Sequence, residues 1–489
     1  MNEFLSVFPV IFTIGVALLL RRTLVALSLG IGCATVILHW GQPLEMVRYL
    51  GSNAISQLYQ QQWQSWHVNV LAAMLLLGIL TSLLARSGAV SAFADWLFAR
   101  IHSQRQARLA VVLLGWLVFI DGIFSCLANG NVSRPLSERY RIPPGQLAYL
   151  VDSTASPLCS VVPFSSWGPY VMALIAGIGW LEVNPASAFL EVASYNFYAI
   201  GTLLMVLVVA YSNFGFNHQK MMYSEDPELQ QAGSPWQLGL PILTLLFGSL
   251  LMMLISGYRS SGSLAPMALF SNADIGAAMR NSCALAVLVA ALLAMRVGMT
   301  AAGLGQALLA GLRNIAPAIA IILLTWMIGR AISDLGTGKV MAHYAAQYLS
   351  PSLLLPGLFL LCTVTAFATG SSWGTFALMI PIGADIAHAI NPALLLPALS
   401  AVMAGSVFGD HCSPISDTTV LSATACGCDP HHHVVTQLPL ALLTAALALL
   451  CYTAVGLGLA LSLVLVALLL ALAAIGAGQL HWGRRIKLI

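Results

Sequence analysis

The sequence predicts an all-α polytopic membrane protein, and its composition gives the first two reasons. Of 489 residues, 59% are hydrophobic and 8% are charged, whereas soluble domains carry roughly a quarter of their residues as charged side chains. The formal net charge is only +3. So little charge cannot provide a water-compatible surface, which excludes soluble enzymes, disordered proteins and nucleic-acid-binding proteins.

The third reason is the recurrence of apolar runs as long as a membrane crossing, which needs roughly 20 helical residues. These runs lie near residues 4–20, 23–40, 68–84, 109–128, 190–212, 237–257, 282–300, 304–332, 351–368, 374–390, 393–409, 436–456 and 458–478. A further apolar stretch, 145–180, contains many Ser, Thr, Pro and Gly residues. Because hydropathy does not separate crossings from re-entrant segments, we predict about 11–14 membrane elements.

Basic residues in short loops predict the orientation, because such loops stay in the cytoplasm. The Arg-Arg pair at 21–22 follows the first apolar run and places the N-terminus outside. Two crossings later the basic residues at 86–108 fall on the same side, as the rule requires. For the next cluster, at 134–141, either the rule fails or segment 109–132 enters the membrane and returns on its own side, and we favour the second reading. The Asp-Gly pair at 121–122 and the Asn-Gly-Asn triplet at 129–131 are its predicted break points.

A charged linker is predicted to divide the chain into two transmembrane halves. It spans residues 213–236 and separates a first half, 1–212, from a second half, 237–489. The polar and Gly- or Pro-rich stretches of the two halves mark predicted cores at 109–180 and 351–425.

Five aspartates fall in the apolar part of the chain, where a carboxylate costs about 2.5–3.5 kcal/mol on insertion scales. They are Asp121, Asp152, Asp385, Asp410 and Asp417. Asp385 lies near a predicted helix end and is expected at the membrane interface. The other four lie in unusually polar stretches and are therefore predicted to be functional.

Short motifs recur in the two halves. Phe-x-x-Gly occurs at 119–122 and 367–370, and an Asp followed by Ser-Pro occurs at 152–157 and 410–414. Corresponding interrupted segments are typical of secondary transporters with a site near the bilayer midplane. We predict a two-fold pseudo-repeat with re-entrant hairpins and broken transmembrane helices. The alternative is chance similarity between short polar strings.

The chemistry of these segments suits a small hard cation. Proline frees the helical carbonyl four residues earlier, so Pro157 and Pro414 are predicted to free the carbonyls of Ser153 and Asp410. Carboxylate, hydroxyl and carbonyl oxygens together favour Na⁺, and the same carboxylates can accept protons. We predict Na⁺ binding at Asp152 and Asp410. Helix capping at broken ends is the structural alternative.

The candidate site residues form two groups. The predicted ion-binding and proton-coupling residues are Asp152, Ser153, Ser156, Asp410, Ser413, Asp417 and Asp121. Secondary ligands or gate residues are predicted at Asn129, Thr154, Thr369, Ser371, Ser416, Thr418, Trp167 and Trp373. Asp410 and Asp417 are expected two helical turns apart. The two tryptophans, each in a Ser-Ser-Trp-Gly motif, either pack at a close backbone approach or form a gate.

Two other motifs suggest different chemistry. The Gly-Ser-Ser-Trp-Gly run at 370–374 fits the nucleophile elbow of hydrolases, which requires a strand–turn–helix context that apolar helices do not offer. The histidines at 431–433 lack the spaced four-ligand pattern of a zinc site and are expected at a loop end. We therefore predict neither an enzyme nor a bound cofactor.

Several of these motifs resemble a known family. The run Asp-His-Cys-Ser-Pro-Ile-Ser-Asp-Thr-Thr at 410–419 resembles the signature of the NhaC-type Na⁺/H⁺ antiporter family, within the ion transporter superfamily. The stretches 134–136, 147–155 and 165–168 resemble its first-half signature. The resemblance implies paired re-entrant hairpins and unwound helices. One position departs from the family, which usually shows two consecutive aspartates where this chain has Asp and Gly at 121–122.

The resemblance implies a secondary active transporter of a bacterial plasma (inner) membrane that exchanges Na⁺ for H⁺. The family also contains exchangers of organic acids and amino acids, so Na⁺- or H⁺-coupled transport of a small organic solute is the alternative. An ion channel is a more distant one, because a channel does not need buried carboxylates in two broken helices. We expect contacts with membrane lipids but not with nucleic acid, and a homodimer is one assembly to test.

Overall fold

The computed structural model describes the chain except for residues 1, 2, 21, 61, 216–233, 265–268, 270–271, 338–339, 341–349 and 483–489. The helices of the first part are α1 (Glu3–Leu20), α2 (Thr23–Leu38), α3 (Pro43–Ser56), α4 (Ser65–Arg86), α5 (Ala89–Phe98), α6 (Gln104–Leu117), α7 (Gly122–Arg139), α8 (Pro144–Cys159), α9 (Trp167–Ala176), α10 (Pro185–Ser194) and α11 (Phe197–Ser212). Those of the second part are α12 (Trp236–Ser261), α13 (Ile275–Arg296), α14 (Ala301–Asp334), α15 (Pro351–Thr369), α16 (Ser372–Ile390), α17 (Leu395–Cys412), α18 (Asp417–Ala425), α19 (Pro430–Gly456) and α20 (Leu461–Trp482).

The described helices confirm a polytopic helical membrane protein. Nine of them are long and apolar enough to cross a membrane, or ten if α10 and α11, bent by 53° at their junction, form one span. The predicted number of 11–14 elements also includes shorter apolar helices, which occur within α1, α2 and α9. A two-residue antiparallel ladder, β1 (Tyr59–Gln60) with β2 (Gln62–Trp63), is a minor exception to the all-α class.

Helices end at the polar stretches that the sequence marks as interrupted. Four non-helical residues separate α6 from α7, and Asp121 caps α7 by accepting a hydrogen bond from the Phe124 N–H at 3.0 Å. Gly370 ends α15 with φ of +64°, a conformation that favours glycine. The second predicted break of segment 109–132 is wrong, because α7 continues through 129–131. Gly130 serves packing instead: a Cβ there would lie 2.6 Å from the Cβ of Ala425.

The prolines of the two recurring motifs lie in different settings, and the prediction of a freed carbonyl is wrong for Pro414. Pro157 lies inside α8, which continues to Cys159, whereas Pro414 lies in the break between α17 and α18. The carbonyl of Asp410 is not freed, because it accepts a hydrogen bond from the Ser413 N–H at 2.9 Å. Asp410 and Asp417 are therefore not two turns apart on one helix, because the break places them on different helices.

Elements from both parts of the chain meet around these breaks. Helices α7 and α8 pack against α18, α8 also packs against α19, and α9 packs against α16. The predicted linker 213–236 lies largely outside the described residues. The division into halves and the two-fold pseudo-repeat stay predictions.

Candidate ion-binding site

Asp152 lies at the centre of a buried polar cluster. Its side chain on α8 is 0% exposed, and its Oδ2 accepts a hydrogen bond from Gln437 Nε2 at 2.9 Å. The Nε2 atom of His433 lies 3.3 Å from the same oxygen, and that of His411 lies 3.7 Å away. His433 and Gln437 are four residues apart on α19 and so share one helix face. The first part of the chain thus supplies the carboxylate and the second part its partners.

His411 is held in place from both sides of its ring. Its Nδ1 lies 2.7 Å from the hydroxyl of Tyr198 on α11, and its Nε2 lies 3.1 Å from the hydroxyl of Ser153. Gln437 Nε2 also donates a hydrogen bond to the His411 carbonyl. These contacts tie α8, α11, α17 and α19 together around the Asp152 carboxylate.

Four oxygen atoms around this cluster have no hydrogen-bond partner among the described residues. They are Asp152 Oδ1, Ser156 Oγ, Thr419 Oγ1 and Gln437 Oε1. Because Gln437 Nε2 faces two acceptors, its Oε1 is an acceptor without a donor. A buried acceptor without a donor costs roughly 1–3 kcal/mol. Bound cations satisfy such oxygens, so the arrangement is suited to holding one.

Asp410, the residue before His411, is a second buried carboxylate. Its side chain is 5% exposed, and its Oδ2 accepts a hydrogen bond from Ser372 Oγ at 2.7 Å. It lies in the last turn of α17, where the negative end of the helix dipole disfavours an anion. Ser413 Oγ donates to the Phe367 carbonyl at 2.8 Å and so fastens the break to α15. A cation beside Asp410 would relieve the unfavourable charge.

Other predicted site residues line a cavity of about 980 Å³, whereas Asp152 and Asp410 do not. The cavity residues of this group are Asp121, Trp167, Ser371, Trp373, Asp417 and Thr418. Asp121 Oδ2 accepts from Ser166 Oγ at 2.8 Å, and Asp417 is exposed. The structure thus divides the predicted residues between a buried cluster and a cavity wall. Gly122 lies between them, since a Cβ there would be 3.6 Å from Ser156 Oγ.

Three predicted secondary ligands have hydrogen-bond partners within the protein. Asn129 Nδ2 donates to the Val111 carbonyl at 3.1 Å, and the hydroxyls of Thr154 and Thr369 bond to carbonyls of their own helices. A fourth, Ser416 Oγ, lies 3.2 Å from Thr418 Oγ1 at the start of α18. The first three groups stabilise the helices around the site.

The tryptophans of the two Ser-Ser-Trp-Gly motifs contact each other. The rings of Trp167 and Trp373 are 5.7 Å apart and nearly perpendicular, at 66°. The serine before each tryptophan donates to an aspartate, Ser166 to Asp121 and Ser372 to Asp410. The recurring motif therefore positions two of the carboxylates.

The sequence-based candidates do not include four residues of the buried cluster: Tyr198, His411, His433 and Gln437. His411 lies inside the 410–419 signature, of which only carboxylates and hydroxyls are candidates. The expectation of a loop end at His433 is wrong, because Asp429 caps α19 by accepting from the His432 N–H at 2.9 Å and places His433 one turn inside the helix. The His-x-x-x-Gln spacing at 433–437 is the signal that could have identified this pair.

Comparison with known proteins gives the family. The model of the Na⁺/H⁺ antiporter family matches residues 158–457. An uncharacterised protein of Haemophilus influenzae is 36% identical over 91% of this chain and 90% of its own length. Two relatives match shorter segments at 30% identity. The malate-2H⁺/Na⁺-lactate antiporter of Bacillus subtilis matches over 34% of this chain and 35% of its own. The Na⁺/H⁺ antiporter NhaC of Alkalihalophilus pseudofirmus matches over 27% and 28%.

Two solved transporters share the fold. The YdaH transporter of Alcanivorax borkumensis aligns with a TM-score of 0.60 at 14% identity, over 85% of this chain and 90% of its own. MtrF of Neisseria gonorrhoeae aligns with a TM-score of 0.61 at 16% identity, over 86% of both chains. With its multi-pass helical fold and a family model that matches most of its length, the chain belongs to the Na⁺/H⁺ antiporter family.

Proposed function

We propose that the protein exchanges Na⁺ for H⁺ across a bacterial plasma membrane. The observation that carries this proposal is Asp152, a fully buried carboxylate whose Oδ1 has no donor among the described residues. A buried carboxylate with one oxygen left without a donor is costly in a low-dielectric interior, and either a sodium ion or a proton would satisfy that oxygen. Because the two cannot occupy the same oxygen together, one site of this kind is sufficient for exchange.

The oxygens around Asp152 fit the preferences of a hard cation. Asp152 Oδ1, Gln437 Oε1 and Ser156 Oγ would contribute one anionic and two neutral ligands. Asp410 contributes a second carboxylate next to His411, whose ring contacts Asp152. No resident cofactor is needed in this scheme, since Na⁺ and H⁺ are the cargo.

The test is transport by the purified protein in proteoliposomes. Radioactive Na⁺ uptake is measured first with an imposed outward proton gradient. It is measured again after a protonophore has collapsed that gradient, while K⁺ and valinomycin hold the membrane potential at zero. We expect accumulation of Na⁺ only with the gradient. Equal uptake in both conditions would indicate a channel, and no uptake would contradict the proposal.

A Ser156→Ala variant should raise the Na⁺ concentration for half-maximal exchange by roughly 3–10-fold, the loss expected for one neutral ligand. The maximal rate should change less, because Ser156 Oγ has no partner in the described part of the chain whose loss would disturb the fold. The measurement is proton efflux against Na⁺ concentration. Ser282→Ala, which removes a buried hydroxyl between α12 and α13, is the control. An unchanged Na⁺ affinity in Ser156→Ala would show that Ser156 is not a ligand of the ion.

A Gly122→Asp variant restores the second aspartate that relatives of this family usually carry. The new Cβ would lie 3.6 Å from Ser156 Oγ and 3.7 Å from Thr418 Cγ2, which are ordinary contacts. A carboxylate beside Ser156 should attract Na⁺, so we expect the apparent affinity to rise by roughly 3–10-fold. Gly122→Asn, equal in size but uncharged, is the matched control. The same affinity in both variants would show that position 122 does not affect the ion.

A further inference from the structure

We propose that Na⁺ and water reach Asp152 from the neighbouring cavity through a gap at Gly122, whose missing side chain keeps this route open. The inference rests on the exchange function proposed above and adds to it the path to the buried site. The route runs from the cavity past the Cα atom of Gly122 to Ser156, and from there to Asp152.

The cavity provides the aqueous part of the route. Its volume is about 980 Å³, and it follows α7 from Gly122 to Pro135, a distance of roughly 20 Å at the rise of an α-helix. Exposed Arg86 and Asp95 line it at α4 and α5, and exposed Asp417 lines it at the start of α18. Because ionisable side chains inside a membrane face water-filled cavities, we infer that water extends from α5 to the break before α18.

The gap is the space next to the Cα atom of Gly122, a buried residue of the cavity wall. A Cβ placed there would lie 3.6 Å from Ser156 Oγ, 3.7 Å from Thr418 Cγ2 and 3.9 Å from Trp167 Cζ2. These are ordinary contact distances, so the space has room for a methyl group and for little more. Thr418 and Trp167 line the cavity, whereas Ser156 does not. The gap therefore joins the cavity to the buried side of its wall.

Neither backbone geometry nor close packing requires a glycine at this position. Gly122 begins α7 and does not have a positive φ, so any L-residue could adopt its backbone conformation. At Gly130, by contrast, a Cβ would lie 2.6 Å from that of Ala425, and packing explains the glycine. What Gly122 preserves is the open space beside Ser156.

Two oxygen atoms that can receive a cation lie beyond the gap. Ser156 and Asp152 are one turn apart on α8 and share a face. Their side chains are buried, and neither Ser156 Oγ nor Asp152 Oδ1 has a hydrogen-bond partner among the described residues. A hard cation that leaves the water of the cavity must exchange hydration oxygens for protein oxygens. Ser156 Oγ offers the first replacement on the route, and Asp152 Oδ1 offers the second.

The experiment fills the gap and compares the rate of exchange with the affinity for Na⁺. Gly122→Ala fills the gap to contact, and Gly122→Val overfills it. We expect the maximal rate of Na⁺-dependent proton flux in proteoliposomes to fall about three-fold in Gly122→Ala and about ten-fold or more in Gly122→Val. Equilibrium binding of radioactive Na⁺ to the purified full chain should stay within about two-fold of the wild type, because an obstacle on the route slows entry and exit equally.

Ala128→Leu is the matched control. Ala128 lines the same cavity farther along α7, and this change adds as many carbon atoms as Gly122→Val. Its flux should stay within about two-fold of the wild type, because the added atoms enter open space and do not overpack the wall. A wild-type rate in Gly122→Val would overturn the proposal, and so would a loss of Na⁺ affinity as large as the loss of rate. If melting shows that the valine variant does not fold, a wild-type rate in Gly122→Ala overturns it instead.

The two proposals fail separately. If wild-type vesicles exchange Na⁺ for H⁺ and Gly122→Val does so at the same rate, the route is wrong and the exchange function stands. If the wild type shows no Na⁺-dependent proton flux, the exchange function is wrong, and efflux of radioactive Na⁺ against external Na⁺ at equal pH tests the route without protons. Slower efflux in Gly122→Val would then support the route, and equal efflux would overturn it.

Discussion

Replacing Asp152 by Asn is expected to reduce Na⁺-dependent proton flux by roughly 100-fold, equivalent to about 2.7 kcal/mol of lost interaction. The amide has the shape of the carboxylate and can still accept a hydrogen bond from Gln437 Nε2, 2.9 Å from Asp152 Oδ2. It carries neither the charge that holds Na⁺ nor a site for the proton. Flux is measured in proteoliposomes after a Na⁺ pulse.

The control for this variant is Asp385→Asn, which alters an acidic side chain in α16 that bonds to Trp180 Nε1 at 2.9 Å. It should retain normal flux. The melting temperature of both purified variants should stay near that of the wild type, because a neutral group costs less than an uncompensated buried carboxylate. Normal exchange by Asp152→Asn would disprove the proposal that Asp152 binds the transported ion, whatever the other variants do.

Replacing Asp410 by Asn is expected to have an effect of similar size, roughly 100-fold in flux. Asp410 is 5% exposed and lies at the negative end of α17, so its charge is unfavourable until a cation binds. In the wild-type protein Ser372 Oγ lies 2.7 Å from Asp410 Oδ2. Asparagine keeps an oxygen that can accept this hydrogen bond and removes only the charge. The measurement is proton flux against Na⁺ concentration in proteoliposomes.

Ser372→Ala separates the charge of Asp410 from its hydrogen bond. It removes the hydroxyl that donates to Asp410 but leaves the carboxylate, so flux should fall by only about 3–10-fold. If Ser372→Ala and Asp410→Asn lose flux equally, the hydrogen bond matters more than the charge. That result would indicate that the ion does not bind at Asp410.

The sequence predicts the fold class and the breaks at 118–121 and 413–416, because both depend on local signals. Apolar runs of crossing length predict membrane helices, and aspartates in apolar segments are too costly to lack a function. The break before Gly122 is predictable for the same reason, since Asp121 is a strong helix N-cap. The family resemblance of the 410–419 run agrees with the match over 158–457.

The partners of Asp152 cannot be predicted in this way. His433 contacts it from 281 residues away, a distance that periodicity and motif spacing do not address. The histidine triplet at 431–433 follows cysteines and a Pro, which indicate a loop rather than the first turn of α19. The break predicted at Gly130 is wrong for a related reason. The glycine is needed because α18 packs closely against α7 at this point, and nothing in the sequence around Gly130 indicates that contact.

The separation between Asp152 and its partners has a consequence for biosynthesis. At a synthesis rate of about 5–20 residues per second, the 281 residues between Asp152 and His433 take roughly 15–60 seconds to emerge. During that interval α8 is in place while the imidazole and the amide that contact its carboxylate do not yet exist. Until α19 arrives, the Asp152 side chain must therefore be hydrated or protonated. The polar centre of the protein closes only when nearly the whole chain has been made.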